Sequence, residues 1–467
     1  MNIKATNRDV IWSYIGTFFS MISNFILLPV IMLFLTDNEI GLWYIFLSIN
    51  GLVILFDFGF DPTFARNVAY VWSGAKELKK SGTYYNNSGE PNYHLLKEVI
   101  EVCKLLYKRI SGLAFICAIT FGTAYIMYIS KEITGIMHLV AWIIFCISIY
   151  LNMYMGYYSA LLRGVGAISR INKALVISRM VQLLVASMCL VLGMGLVSVS
   201  IGFLVNGLVL RALCKKFFYQ YQGIQNGLDS DPHPVDKKVI KKLLGVISYN
   251  AFRDGVVALS NYMMTQGSTI IASLFLSLGE TGIYSISLQL TTAVATAASA
   301  IISAYHPTLQ SAFAVKNIDK ERLYISKGLV AFYILYFLGT IGVIFVVFPV
   351  LHLLKPTFLF STIVYVGMSI YMFLWQQQSI AASYISNTND IPYVKSFLYS
   401  SVVGVIFAYL LTKYSTLGIW GIILGLGFVQ LLYNNWKWLL VVFKRVDLNL
   451  FKVIENGLKA WVGKYKF

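Results

Sequence analysis

The sequence predicts an all-α, polytopic membrane protein, with about 12 transmembrane helices in two pseudo-symmetric six-helix halves around a central cleft. Three observations predict it. Apolar runs of roughly 20 residues recur along the chain, each long enough to cross a hydrocarbon core about 30 Å thick. Threading them alternately leaves all but three of the 37 lysines and arginines on one side, the bias that retains basic loops in the cytoplasm. The exceptions are Lys131, Lys355 and Lys413, in short turns on the far side. The turn between first and second span also repeats: LTDNEIGLWYIFLSI from Leu35 aligns with LSLGETGIYSISLQL from Leu276, pairing Glu39 with Glu280 and Gly41 with Gly282. Two six-span halves that start on the same side are parallel repeats about an axis along the membrane normal.

Composition agrees: 58% of residues are hydrophobic and 12% charged, about half the charged share of a soluble domain. The net charge of +17 sits at helix ends and in loops. Positive-inside retention and attraction to anionic headgroups account for it, so nucleic-acid binding is set aside.

Each span follows in order. After the polar MNIKATNRDV, the run Val10–Leu35 is too long for a signal h-region and lacks a small-residue cleavage site, so it is the first span. Gly41–Val68 is the second. The stretch His94–Arg109 alternates apolar residues with Lys and Glu at helical spacing, an amphipathic cytoplasmic helix leading into the third span, Tyr107–Ile129. Met137–Leu162, Ala174–Leu196 and Val199–Phe218 complete an N-terminal half, residues 1–218. Residues 219–242, with DSDPHPVDKK, form a cytoplasmic linker. The C-terminal half, 243–445, carries Leu243–Leu278, Gly282–Phe313, Leu323–Leu351, Phe358–Ile385, Val394–Leu411 and Gly418–Val442. An even count puts both termini in the cytoplasm. The far-side turns (TDNE, SKEITGI, SLGET, HLLKPT, KYST) leave no room for a folded extracytoplasmic domain. The basic amphipathic tail 446–467 sets Leu450, Phe451, Ile454, Leu458 and Trp461 broadly on one side, which suits the inner membrane surface.

Charge inside a bilayer costs about 2.5–3.5 kcal/mol at a helix centre on insertion scales, so embedded ionisable residues are site candidates. Asp57 and Asp61 lie in the second span and Asp254 in the seventh. Spaced i, i+4 on one continuous helix, Asp57 and Asp61 repel unless a cation or proton lies between them. Asp57 would then sit about 24 Å from Gly41, in the cytoplasmic third. Two readings stand for Asp61 and Arg66: a site, or capping and snorkelling at the inner interface. Arg253, beside Asp254, and Arg179 in the fifth span either snorkel or form a cationic wall suited to phosphate. Arg163 and Arg170 read as topology determinants, and His306 beside Pro307 as a helix-end histidine. Gln376, Gln377 and Gln378 cannot all face lipid, and with Asn434 and Asn435 they suit either sugar hydroxyls or neighbouring helices. Pro29, Pro349 and Pro392 are expected at kinks or breaks.

Other chemistry is not indicated. The five cysteines show no Cys-x-x-Cys spacing, so neither disulfide nor metal is expected. Asp229–Asp231 has an Asp-x-Asp form, but in a short linker a turn is the reading. No P-loop occurs.

The stretches NEIGLWYIFLSINGLVILFDFGFDPTFARNVA and SALLRGVGAISRINKALVISR, with twelve spans in two halves, resemble polysaccharide repeat-unit flippases of the Wzx type. These belong to the multidrug/oligosaccharidyl-lipid/polysaccharide exporter superfamily, and the resemblance covers essentially the whole chain. It implies a non-enzyme that moves undecaprenyl-pyrophosphate-linked oligosaccharide from the inner to the outer leaflet of the bacterial inner (plasma) membrane by alternating access. It further implies a place in polysaccharide synthesis such as O-antigen or lipopolysaccharide assembly, beside polymerase machinery. On this reading Arg66, Arg179, Arg253, Gln377 and Asn434 contact substrate. Asp57, Asp61 and Asp254 balance charge or couple to an H+ or Na+ gradient, and no resident cofactor is needed. The alternatives are a cation-coupled multidrug exporter of the same superfamily and a membrane polysaccharide polymerase or ligase. The short far-side turns tell against the last.

Overall fold

A computed structural model describes residues 12, 16, 19, 23, 26–57, 59–72, 74–78, 90–131, 133, 135–233, 237–305, 309, 317–356, 360–386 and 392–462. Among the described residues every regular element is helical. The chain packs as two units, Met1–Leu259 and Ser260–Phe467. His306 and Pro307 lie outside the described residues.

The first unit runs through α1 (residues 26–34), α2 (Asp37–Ile54), α3 (Phe60–Trp72) and α4 (Tyr93–Cys117). It continues with α5 (Thr123–Ile129), α6 (Met137–Tyr154), α7 (Tyr157–Gly164), α8 (Ile168–Val191), α9 (Leu196–Tyr219) and α10 (Ile224–Asp229). Helix α11 (Lys237–Met264) runs past the unit boundary. The second unit holds α12 (Gly267–Phe275), α13 (Leu278–Ala304), α14 (Ile318–Gly342), α15 (Phe348–Leu354) and α16 (Thr362–Ser386). It ends with α17 (Val394–Tyr414), α18 (Ile419–Leu432), α19 (Asn434–Arg445) and α20 (Leu450–Trp461). Among the described residues 8 helices are long and apolar enough to cross a membrane. Several other expected spans fall on shorter helices, such as α12 and α18, or on helices that a break interrupts.

The two units share four local devices. Thr36 and Ser277 each cap a helix, accepting from the N–H of Glu39 and Glu280 while those carboxylates reach back to the cap, a reciprocal box worth about 1 kcal/mol. Helices α4 and α14, each 25 residues long and capped by Asn92 and Asn317, pass into five-residue π turns, Ala118–Gly122 and Val343–Val347. In the first unit Gly122 makes room for Trp142, since a Cβ there would stand 2.6 Å from the indole. The Trp142 indole N–H donates to Thr123 Oγ1 at 3.0 Å. In the second, Pro349 follows the π turn and has no N–H for the regular ladder. Gly195 and Gly418 precede α9 and α18 with φ/ψ of 54/−136° and 52/−125°, a conformation closed to side-chain-bearing residues. Finally, Gly202 packs on Ala186 and Gly425 on Ala408, the close approach that small residues allow between membrane helices.

The second span expected at Gly41–Val68 is not one helix. After Ile54 the chain makes a 3-10 turn over Leu55–Asp57, bends through Gly59 at φ 74°, and restarts as α3. Gly59 supplies the left-handed backbone that a helix cannot contain. The rise from Gly41 to Asp57 is therefore not that of a continuous helix.

Candidate functional site

The break in the second span organises the charged site of the first unit. Asp57 ends the 3-10 turn, and its Oδ2 accepts the Asp61 N–H at 3.0 Å, satisfying a first-turn donor of α3. Its Oδ1 accepts the Tyr107 hydroxyl at 2.6 Å. Asp61 turns elsewhere, to the guanidinium of Arg163 on α7. The two acids therefore do not share one continuous helical face as expected, and the backbone turn between them gives each its own donors.

Arg66 is exposed and donates to Thr63 Oγ1 at 3.4 Å, while Arg163 holds Asp61. Arg170 closes a helix end, donating to the Phe217 carbonyl at 2.9 Å and stacking 5.1 Å from the Tyr221 ring.

Two arginines stand differently. Arg179 lies 11 residues into α8, about 16 Å along it, and donates to Gln182 Oε1 at 2.8 Å. Arg211 lies on α9, about 12 Å before its C-terminal end. It donates to Ser159 Oγ at 2.8 Å, while its Nε is buried without a partner. Among the described residues no carboxylate lies within salt-bridge distance of either. Sequence reading passed over Arg211 because Lys215 and Lys216 follow it and draw it into the basic loop. Its place inside an apolar run was the signal.

The second unit answers with neutral groups. Gln430 Nε2 donates to Ser400 Oγ at 2.9 Å, and its Oε1 accepts from Asn434 at 3.0 Å and Gln378 at 3.3 Å. Asn434 donates to Ser400 Oγ at 2.7 Å and accepts the Trp438 indole N–H at 3.0 Å. Both ends of the Asn434 amide are therefore engaged inside the unit. Gln377 is buried as well, and Gln378 Oε1 and Asn435 Oδ1 are buried without partners. One acid that the sequence reading did not single out, Glu321 on α14, is 2% exposed and accepts the Tyr384 hydroxyl. Arg253 and Asp254 fall on α11, but their side chains lie outside the described residues. No metal-holding cluster occurs among the described residues.

Comparisons with known proteins agree with this architecture. Residues 7–313 match a family described as polysaccharide biosynthesis protein. No curated protein matches the chain. Among solved structures, an inward-facing multidrug resistance MATE family transporter of the MOP superfamily superposes with a TM-score of 0.63 at 12% identity. That match covers 88% of this chain and 94% of the transporter. The lipid II flippase MurJ, in an inward closed conformation, gives 0.62 at 13% identity over 97% of this chain and 91% of its own. An outward-facing MATE transporter gives 0.55 at 15%, over 94% and 95%. At these identities the likeness is one of fold.

Proposed function

Since the chain belongs to the polysaccharide biosynthesis protein family and shares the fold of membrane transporters and flippases, we propose that it flips a lipid-linked oligosaccharide. The proposed cargo is an undecaprenyl-pyrophosphate-linked repeat unit, moved by alternating access to the outer leaflet of a bacterial inner membrane. The observation that carries this reading is the pair Arg179 and Arg211. A guanidinium held within an apolar helix with no carboxylate partner among the described residues calls for an anion or water, and a pyrophosphate supplies charge and acceptors in the geometry arginine matches. Arg66 and Arg253 are proposed to extend the anion path, and Gln377 to meet sugar hydroxyls. Asp57, Asp61 and Asp254 are proposed to couple the cycle to an H+ or Na+ gradient. On this reading both termini are cytoplasmic and the product passes to a polysaccharide polymerase.

The MATE likeness favours one rival, a cation-coupled multidrug exporter. Cationic cargo is repelled by arginines that have no carboxylate partner among the described residues, which sets the rival second. The test deletes the gene and measures linked oligosaccharide on each leaflet, with Arg211→Ala and Arg179→Ala as complements. Accumulation on the cytoplasmic side is expected, rescued by wild type. Each variant should flip roughly tenfold or more slowly, the weight of one charge-assisted contact of about 1.5–3 kcal/mol. Normal surface polysaccharide with altered sensitivity to cationic drugs overturns the proposal in favour of the exporter.

A further inference from the structure

Helix α20 carries three distinct faces. One is docked: Val453 is fully buried, and a Cβ on Gly457 would stand 2.4 Å from Val330 Cγ2 and 2.6 Å from the Ser326 carbonyl of α14. The Trp461 indole N–H donates to the Lys327 carbonyl at 3.1 Å, and the Lys327 ammonium sits 4.6 Å from the Trp461 ring. At 100° per residue, the neighbouring sector of about 120° holds Leu450, Ile454, Leu458, Phe451 and Val462. All five are exposed, Phe451 at 84% and Val462 at 68%. The remaining sector holds Lys452, Glu455 and Lys459.

The level at which α20 crosses α14 is the second observation. The charged residues of α14 end at Lys327, and none follows until Lys355. Beyond Lys327 the outward side chains are apolar, with Ile334, Leu335, Phe337 and Leu338 exposed. The contacts at Ser326, Lys327 and Val330 therefore set α20 where the polar end of α14 gives way to its lipid-facing stretch. Residues 446–467 carry four lysines against Asp447 and Glu455. A basic, one-sided apolar helix at that depth matches acyl chains on one flank and phosphate on the other.

The geometry points to α20 as a docking face for anionic phospholipid of the leaflet on the basic side of the membrane. Leu450, Phe451, Ile454 and Leu458 enter the acyl region, and Lys452 and Lys459 meet headgroup phosphates. Because Gly457 lies flat on α14, the lipid contact is made by a helix locked to a membrane-spanning helix rather than by a loose tail. The inference is independent of the cargo.

The test uses the full chain in vesicles, with the photo-crosslinking residue p-benzoylphenylalanine replacing Phe451 and, as control, Glu455. In vesicles containing phosphatidylglycerol, position 451 is expected to give phospholipid adducts several times more abundant than position 455. Yield should fall at least about threefold in phosphatidylcholine alone, and likewise on Lys452→Gln with Lys459→Gln. A covalent dimer from position 451 overturns the proposal in favour of a second copy of this chain. Equal lipid yield from both positions, or a yield indifferent to lipid charge, overturns it as well.

Discussion

The two units are built with the same backbone devices, but their buried polar clusters differ in chemistry. Capping boxes, π turns after 25-residue helices, left-handed glycines and glycine–alanine contacts recur in each. The first unit sets Asp57, Asp61, Arg163 and Arg211 into this frame, whereas the corresponding polar cluster of the second is Gln378, Gln430, Asn434 and Ser400. Backbone geometry depends on short-range features such as a glycine or a cap, which survive while side chains between them change. Charge does not constrain the frame, so one polar cluster is free to be ionic and the other neutral. On the proposed function, this difference suits a cargo with an anionic end and a neutral end.

The sharpest way to break this comparison is to carry charge into the neutral cluster. Gln430 is 1% exposed and uses both ends of its amide. Gln430→Glu keeps an acceptor for Asn434 and Gln378 but leaves an anion facing Ser400 with no cation among its described contacts. A loss of about 3–5 kcal/mol is expected. Asp57→Asn, the reverse exchange in the first unit, removes charge where two donors already converge and should cost about 1–2 kcal/mol. Thermal unfolding in nanodiscs reads both, and a larger loss for Asp57→Asn sinks the assignment of ionic and neutral clusters.

How far these features could be read in advance follows the same division. The repeat was legible at Glu39 and Glu280, because a capping box writes a Ser or Thr three residues before a Glu. The membrane class was legible in the basic residues, since topology depends on charge counts. The π turns were not legible, because Ala118–Gly122 is apolar and looks like any span interior. The break at Gly59 was missed for a related reason: Asp57 and Asp61 at i, i+4 match a helix so well that one glycine between them carried little weight. Partners distant in sequence, Arg163 for Asp61 and Tyr107 for Asp57, were beyond reach. Neither spacing nor composition says which helix returns to which.

A smaller effect tests the shared frame itself. A Cβ on Gly425 would lie 2.5 Å from Ala408 Cα and 2.6 Å from its N, both backbone. On Gly202 it would lie 2.8 Å from the Ala186 Cβ and 3.4 Å from its Cα. Overpacking costs about 1–3 kcal/mol, and the helix preference of alanine over glycine returns about 1. Gly425→Ala should therefore lose about 2 kcal/mol and Gly202→Ala, which meets one rigid methyl rather than backbone, about 1 kcal/mol, as judged by unfolding midpoint. The opposite order would mean that the two helix pairs do not share one packing scheme.

The smallest expected effect concerns how each unit holds the segment after its last span. In the first, His94 on α4 approaches Asp231 at 2.8 Å and Glu98 at 3.4 Å, while the Lys97 ammonium donates to the Asp231 carbonyl at 3.2 Å. In the second, Arg322 on α14 donates to the Val446 carbonyl at 2.6 Å and faces Asp447 at 3.5 Å. The clasp position is the same, but one uses histidine and the other an arginine that stays charged at every working pH. The hydrogen bond from His94, with the His233 N–H adding to it, holds the Asp231 carboxyl below the usual carboxylate range. A depressed carboxyl stabilises fully above its unfolded value of about 3.9 and loses that contribution as pH falls through the lower folded value. Pepsin cleavage of residues 219–233, taken as a ratio of wild type to Asp231→Asn, should be lowest above pH about 4 and rise toward one below it. Because the pair is solvent-screened the change should be modest. A flat ratio would show that Lys97 and the helix ends hold the linker without the carboxylate, leaving the second clasp as the only one built on charge.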